Sequence, residues 1–167
     1  MDTLLQQIIN GLVLGSMYAL VALGYTMVYG IINLINFAHG EVLMVGALTS
    51  WTVLRVLAGS GLPGWVLLLI SLIAAIVVCA ALNFAIEKIA YRPLRNAPRL
   101  APLITAMGMS LLLQTLAMII WQPSTKPYPI LLPNDPIFIG GAVINLTQIL
   151  ILGTTAVTLV EIGRAHV

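Results

Sequence analysis

Apolar residues run in blocks too long for the core of a soluble domain. Stretches without Asp, Glu, Lys or Arg cover 3–40, 56–86, 100–125 and 136–160. A helix that crosses a bilayer needs about 20 predominantly apolar residues. The first stretch is too long for one such helix, and it becomes polar where Asn33, Asn36 and His39 interrupt it. The pattern predicts span 1 at 8–31, span 2 at 41–58, span 3 at 65–87, span 4 at 102–121 and a span 5 that begins near 142. The segment 59–64 (GSGLPG) is a turn by composition. All nine prolines fall in proposed loops or at a helix start. Pro102 sits in the expected first turn of span 4, where its missing N–H costs nothing. The predicted fold class is all-α, a polytopic bundle of about five transmembrane helices.

Composition agrees with this pattern and removes whole classes of function. Among 167 residues, 60% are hydrophobic and 7% charged, against about 25% charged in an ordinary soluble domain. Mean hydropathy is +1.09. A soluble enzyme, a disordered regulator and a nucleic-acid binder are excluded, the last for want of a basic surface. Asp2 stands where a signal peptide would carry basic residues, and no cleavage site follows, so the first helix is expected to be retained.

Charge placement suggests an orientation. Lys88, Arg92, Arg95 and Arg99 are four of the seven basic residues, and they crowd one short segment. The positive-inside rule places that loop in the cytoplasm, so 59–64 and 122–141 face outward. Counting back through two spans puts the N-terminus outside; a re-entrant segment near 33–40 would invert it. Trp51, Trp65 and Trp121 fall near the outer boundary, as an aromatic belt would. Arg55 lies 14 residues beyond Glu41, about 21 Å along a helix. The two cannot pair within one straight helix, and Arg55 is expected to snorkel to the interface. The segment 122–141 carries five prolines and is expected to be stiff and extended, either a plain surface loop or a contact for an external partner.

Candidate chemistry centres on 35–41 (INFAHGE). Asn36, His39 and Glu41 place an amide, an imidazole and a carboxylate between two apolar helices. Such groups at membrane depth are costly and usually line a pathway or pair with a neighbour. The structural alternative is a helix end at the interface, with Glu41 favouring the dipole of span 2 and Asn36 or Gly40 capping a helix. Small residues recur every fourth position, as Gly11, Gly15 and Ala19 on span 1 and as Ser71, Ala75, Cys79 and Asn83 on span 3. Plain helix packing is the favoured reading of both stripes. One cysteine rules out a disulfide framework. It also rules out the zinc-deaminase reading of His39 and Glu41, which needs a later Cys-x-x-Cys. No metal site, cofactor or catalytic residue is predicted. The chain has no P-loop, so ATP-driven work would fall to a partner.

Four separated segments, in order, closely resemble the LivH-type permeases of bacterial branched-chain amino-acid ABC importers. They are 15–30 (GSMYALVALGYTMVYG), 35–41, the Glu87, Ala90, Tyr91, Arg92, Pro93, Leu94, Arg95 group, and 105–110 (TAMGMS). The resemblance implies a multi-helix permease of the inner membrane that works by alternating access. It implies a second related permease, two cytoplasmic ATPase subunits, and a periplasmic binding protein that delivers leucine, isoleucine or valine. The resemblance covers 36–41 and 91–95 without assigning either a chemical role; Asn36, His39 and Glu41 are the expected pathway or gate residues because of the polar break they form. The basic segment 88–99 is expected near the ATPase or against anionic headgroups. The alternative is a secondary transporter or channel for small polar solutes that needs no ATPase. A non-transporting membrane anchor is a third class, and urea or short amides remain rival substrates.

The resemblance also predicts more helices than this chain holds. Residues 1–160 are therefore read as the N-terminal part of the permease domain. The heptapeptide 161–167 (EIGRAHV) reads like a translated sequencing-adapter end, the rival being a native Gly-Arg-Ala stretch. Coding DNA with the same ending in an intact locus would sink the adapter reading.

Overall fold

The computed structural model describes residues 2–33 and 35–165. Among the described residues five helices are long and apolar enough to cross a membrane. They are α1 (Asp2–Ile32), α2 (His39–Leu57), α3 (Gly64–Ile86), α4 (Leu100–Trp121) and α5 (Leu146–Ala165). In hydrocarbon every backbone N–H and C=O must be paired within the chain, and a helix satisfies that demand by itself. Most large apolar side chains point outward, as lipid-facing helices require. With 31 residues, α1 is about 46 Å long, more than a hydrocarbon layer of about 30 Å requires.

The backbone corrects several expectations. Span 1 begins six residues earlier than predicted, at Asp2. The segment after α3 is not an open loop: a π-helical turn, Glu87–Tyr91, and a 3-10 turn, Arg92–Leu94, prolong it. Residues 142–144 are not the start of span 5. They form strand β2 (Ala142–Ile144), paired antiparallel with β1 (Ile137–Ile139), with Phe138 opposite Val143. Gly140 and Gly141 make the turn at φ 56° and 89°, a region that glycine enters without strain. The Pro-rich stretch before the hairpin, 122–136, is extended apart from bends, as expected. Among the described residues the fold is thus helical with one small hairpin. His166 lies outside the described residues, whereas 161–165 continue α5.

The chain divides into two compact units. The first holds residues 1–27 and 132–167, with most of α1, the hairpin and α5. Here the Gln6 amide acts as a short strand partner. Its Nε2 donates to Val143 O at 3.1 Å, and its Oε1 accepts from Val143 N–H at 2.8 Å. The expected close packing at Gly11 and Gly15 is not seen, because an added Cβ at either would meet nothing within 4 Å.

The second unit, 28–131, contains α2, α3 and α4 and carries the candidate site. Its core gathers Ala38, Val42, Ile86, Ala90, Tyr91, Ala106 and Leu113. The α3 stripe packs as predicted: Ser71 is buried, and Cys79 lies against α2, where its Sγ contacts Val42 O at 3.4 Å. Gly46 makes that approach possible, since a Cβ there would lie 2.6 Å from Cys79 Sγ.

Candidate functional site

Helix α1 ends at Ile32, and Asn33, with φ of 54°, turns the chain out of the helix while its N–H still donates to Tyr29 O at 2.8 Å. Asparagine tolerates this left-handed conformation better than most residues. The chain then re-enters a helix within a few residues, and Asn36 shapes the turn. Its side chain is buried, with Oδ1 accepting from Ala38 N–H at 3.0 Å and from Tyr91 O–H at 2.9 Å. Its backbone carbonyl accepts from His39 N–H at 3.1 Å. A side-chain oxygen bonded two residues ahead is an Asx turn. The second bond ties that turn to the π-helical turn after α3. Asn36 is therefore a joint between two segments.

Glu41 occupies the first turn of α2, as expected. Its Oε1 accepts from Gln114 Nε2 at 2.6 Å and from Ser110 Oγ at 3.0 Å. The two donors stand one turn apart on α4 and touch each other at 3.4 Å. Hydrogen bonds to an ionised group contribute about 1.5–3 kcal/mol each, enough to offset the cost of a carboxylate at membrane depth, which insertion scales put at about 2.5–3.5 kcal/mol. The other oxygen, Oε2, accepts no hydrogen bond among the described residues. His39 is half-buried at the first position of α2. The three predicted residues thus sit within one helix break, but their side chains do not form one cluster: Asn36 is joined to Tyr91, and Glu41 to α4.

Gln114 also lines a cavity of about 480 Å³ that it shares with Met44, Leu48, Met118, Trp121 and Lys126. An extended strap, 122–131, passes this end of the unit. Trp51 Nε1 donates to Pro127 O at 3.0 Å, Ser50 and Tyr128 share a hydroxyl contact at 2.6 Å, and Trp121 Nε1 donates to Thr52 Oγ1 at 2.8 Å. Arg55 and Lys126 lie 5.2 and 5.1 Å from the centre of the Trp51 ring, within cation–π range. Arg55 therefore pairs with an aromatic face, and Glu41 with α4.

The basic residues at the opposite ends of the helices are spread along the turns. Lys88 lies 5.8 Å over the Phe84 ring, and Arg95 makes a 2.6 Å ion pair with Glu87. Arg92 and Arg99 are exposed.

Sequence comparison sets this arrangement in context. A family model described as "Branched-chain amino acid transport system / permease component" matches residues 7–162. The chain belongs to this permease family. It is 48% identical over 156 residues to the high-affinity branched-chain amino acid transport system permease protein BraD of Pseudomonas aeruginosa, covering 90% of this chain and 51% of BraD. It is 53% identical over 111 residues to the permease protein LivH of Escherichia coli K12, covering 66% of this chain and 36% of LivH. Against LivH of Salmonella typhimurium the identity is 52% over 111 residues. The chain thus spans about half the length of BraD and less of LivH. No solved structure matches it. Family and spans together make this a multi-pass protein of the bacterial inner membrane.

Ser110, Gln114 and Tyr91 are the partners of Glu41 and Asn36 that the polar break alone did not identify. Ser110 and Gln114 lie 69 and 73 residues from Glu41. Their signal is an i, i+4 polar pair on an otherwise apolar helix.

Proposed function

We propose that the chain forms part of the transmembrane permease subunit of an ABC importer that moves leucine, isoleucine or valine across the inner membrane. The observation that carries the reading is the identity of 48–53% to permeases named for high-affinity branched-chain amino acid transport. In this reading a second related permease completes the pathway, two cytoplasmic ATPases hydrolyse ATP, and a periplasmic binding protein delivers substrate. The permease performs no bond-making step; it changes access to a site.

The site geometry fits that cargo. An amino acid presents an ammonium, a carboxylate and, here, a branched aliphatic side chain. Glu41 is bonded to Gln114, which borders the cavity, and in this reading its second carboxylate oxygen takes the ammonium. Met44, Leu48 and Met118 offer apolar wall to the side chain, and Lys126 also lines that cavity. Asn36 and His39 take the role of gate supports, since both sit where the helix is broken. The segment carrying Lys88, Arg92, Arg95 and Arg99 faces the cytoplasm, near the ATPases or against anionic headgroups. Residues 1–160 are the N-terminal part of the permease domain and 161–167 a non-native tail, which the coding DNA tests.

The experiment is uptake of labelled leucine by a strain that lacks the complete gene, restored with the wild-type gene or with Glu41→Gln. The wild-type gene restores uptake, which unlabelled isoleucine and valine compete away and urea does not. Glu41→Gln keeps the shape and removes the charge, so uptake falls at least about ten-fold, the loss of one charge-assisted bond. Unchanged uptake with Glu41→Gln removes the carboxylate from the pathway.

A further inference from the structure

Among the described residues two arginines at the basic end, Arg92 and Arg99, have no acid, and of the two only Arg99 lines a cavity. The only carboxylate beside it, Glu87, is held by Arg95 at 2.6 Å. Lys88 lies over Phe84. Arg99 makes no hydrogen bond or ion pair among the described residues. It lines a cavity of about 820 Å³ with Asn33, Tyr91, Leu94 and Arg95, between the end of α1, the π-helical turn and the start of α4. It also lines a second cavity of about 520 Å³ with Asn33, Ile35 and Leu103. Arg99, Asn33 and Pro102 border both spaces. Two arginines face one carboxylate, so the lining is net positive. The larger cavity carries the polar lining of Arg95 and Glu87 beside Leu94, the smaller one the apolar lining of Ile35 and Leu103, and Asn33 and Arg99 border both. Volumes of this size hold ligands of a few hundred Å³.

The cavities also sit where three spans end or begin: Thr3–Ile31 and Gly64–Leu94 stop here, and Leu100–Trp121 starts. That is headgroup depth, where a guanidinium fork meets phosphate oxygens in bidentate geometry.

We propose that this space binds the phosphate of an anionic phospholipid. Arg99 is its charged ligand and Asn33 a neutral donor, and the glycerol and upper acyl carbons lie along Ile35 and Leu103. The inference rests on membrane placement and not on the transport reading, because both leaflets carry phosphate. Inorganic phosphate shares the charged ligand but cannot use the apolar wall.

The test titrates phosphatidylglycerol, phosphatidylcholine or inorganic phosphate into the complete, detergent-purified permease and counts bound lipid by native mass spectrometry. Wild type binds phosphatidylglycerol in preference to phosphatidylcholine. Arg99→Gln lowers that affinity about five-fold, the effect of one basic group at an anionic surface. Arg92→Gln, an exposed cation that lines neither cavity, leaves the affinity unchanged. Arg99→Lys keeps charge without the fork and falls between. If Arg99→Gln is not recovered folded, Arg99→Lys compared with Arg92→Lys decides the same question. Equal losses at Arg99 and Arg92, no loss at Arg99, or displacement of the lipid by millimolar phosphate would overturn the proposal.

Discussion

Replacing Gly46 by alanine tests the seam between α2 and α3 from two opposed terms. Alanine is the better helix former, by up to about 1 kcal/mol. Against that, the new Cβ would lie 2.6 Å from Cys79 Sγ, well inside van der Waals contact. Cys79 sits on a helix, where few rotamers are open to it, and moving its sulfur gives up the 3.4 Å contact with Val42 O. Overpacking of this kind costs about 1–3 kcal/mol. Gly46→Ala alone therefore destabilises by about 0–2 kcal/mol. In a Cys79→Ala background the obstacle is gone, and the same change stabilises by about 0.5–1 kcal/mol through helix propensity. The coupling between the two sites is about 1–3 kcal/mol, in the range expected for residues in contact. Thermal unfolding of the four detergent-purified variants measures it. The reasoning is refuted if Gly46→Ala raises the midpoint equally in both backgrounds, because the helices would then not meet at this pair.

Two further changes probe the joints around the site. Tyr91→Phe removes the 2.9 Å bond to the buried Asn36 Oδ1 and should destabilise by about 1–3 kcal/mol, read as a lower unfolding midpoint, with faster proteolysis near 33–38; an unaltered midpoint would show that this bond does not hold the break. Gly64→Ala sets a Cβ against the backbone carbonyl of Leu131, which cannot rotate away, so the strap 122–131 should lift and become more open to protease, while Gly59→Ala, with nothing within 4 Å, should not change the cleavage pattern.

Much of this arrangement is legible in the sequence. The apolar runs mark the five spans, since lipid demands long apolar helices and little else. Glu41 lies in a first helical turn because a polar break precedes it. Cys79 meets α2 and Ser71 is buried because small residues at four-residue spacing share one face. What escaped was local geometry and long-range pairing. The hairpin at 137–144 was hidden by apolar residues that suit a strand or a helix equally over so short a length. The turns at 87–94 were hidden by charge, which marks an interface but not a backbone shape. The partners of Glu41 lie on another helix, and a single sequence shows polar residues on both helices without the register that brings them together. Gly46 carries no sign of its role until the sulfur opposite is seen.

The claim that most needs direct measurement is that transport draws on ATP through partner subunits. The complete protein, the proposed second permease and the proposed ATPases would be reconstituted in vesicles with the proposed binding protein outside and ATP inside. The account predicts accumulation of labelled leucine only when binding protein and hydrolysable ATP are both present. Accumulation driven by an ion gradient without ATP would contradict it and favour a secondary transporter.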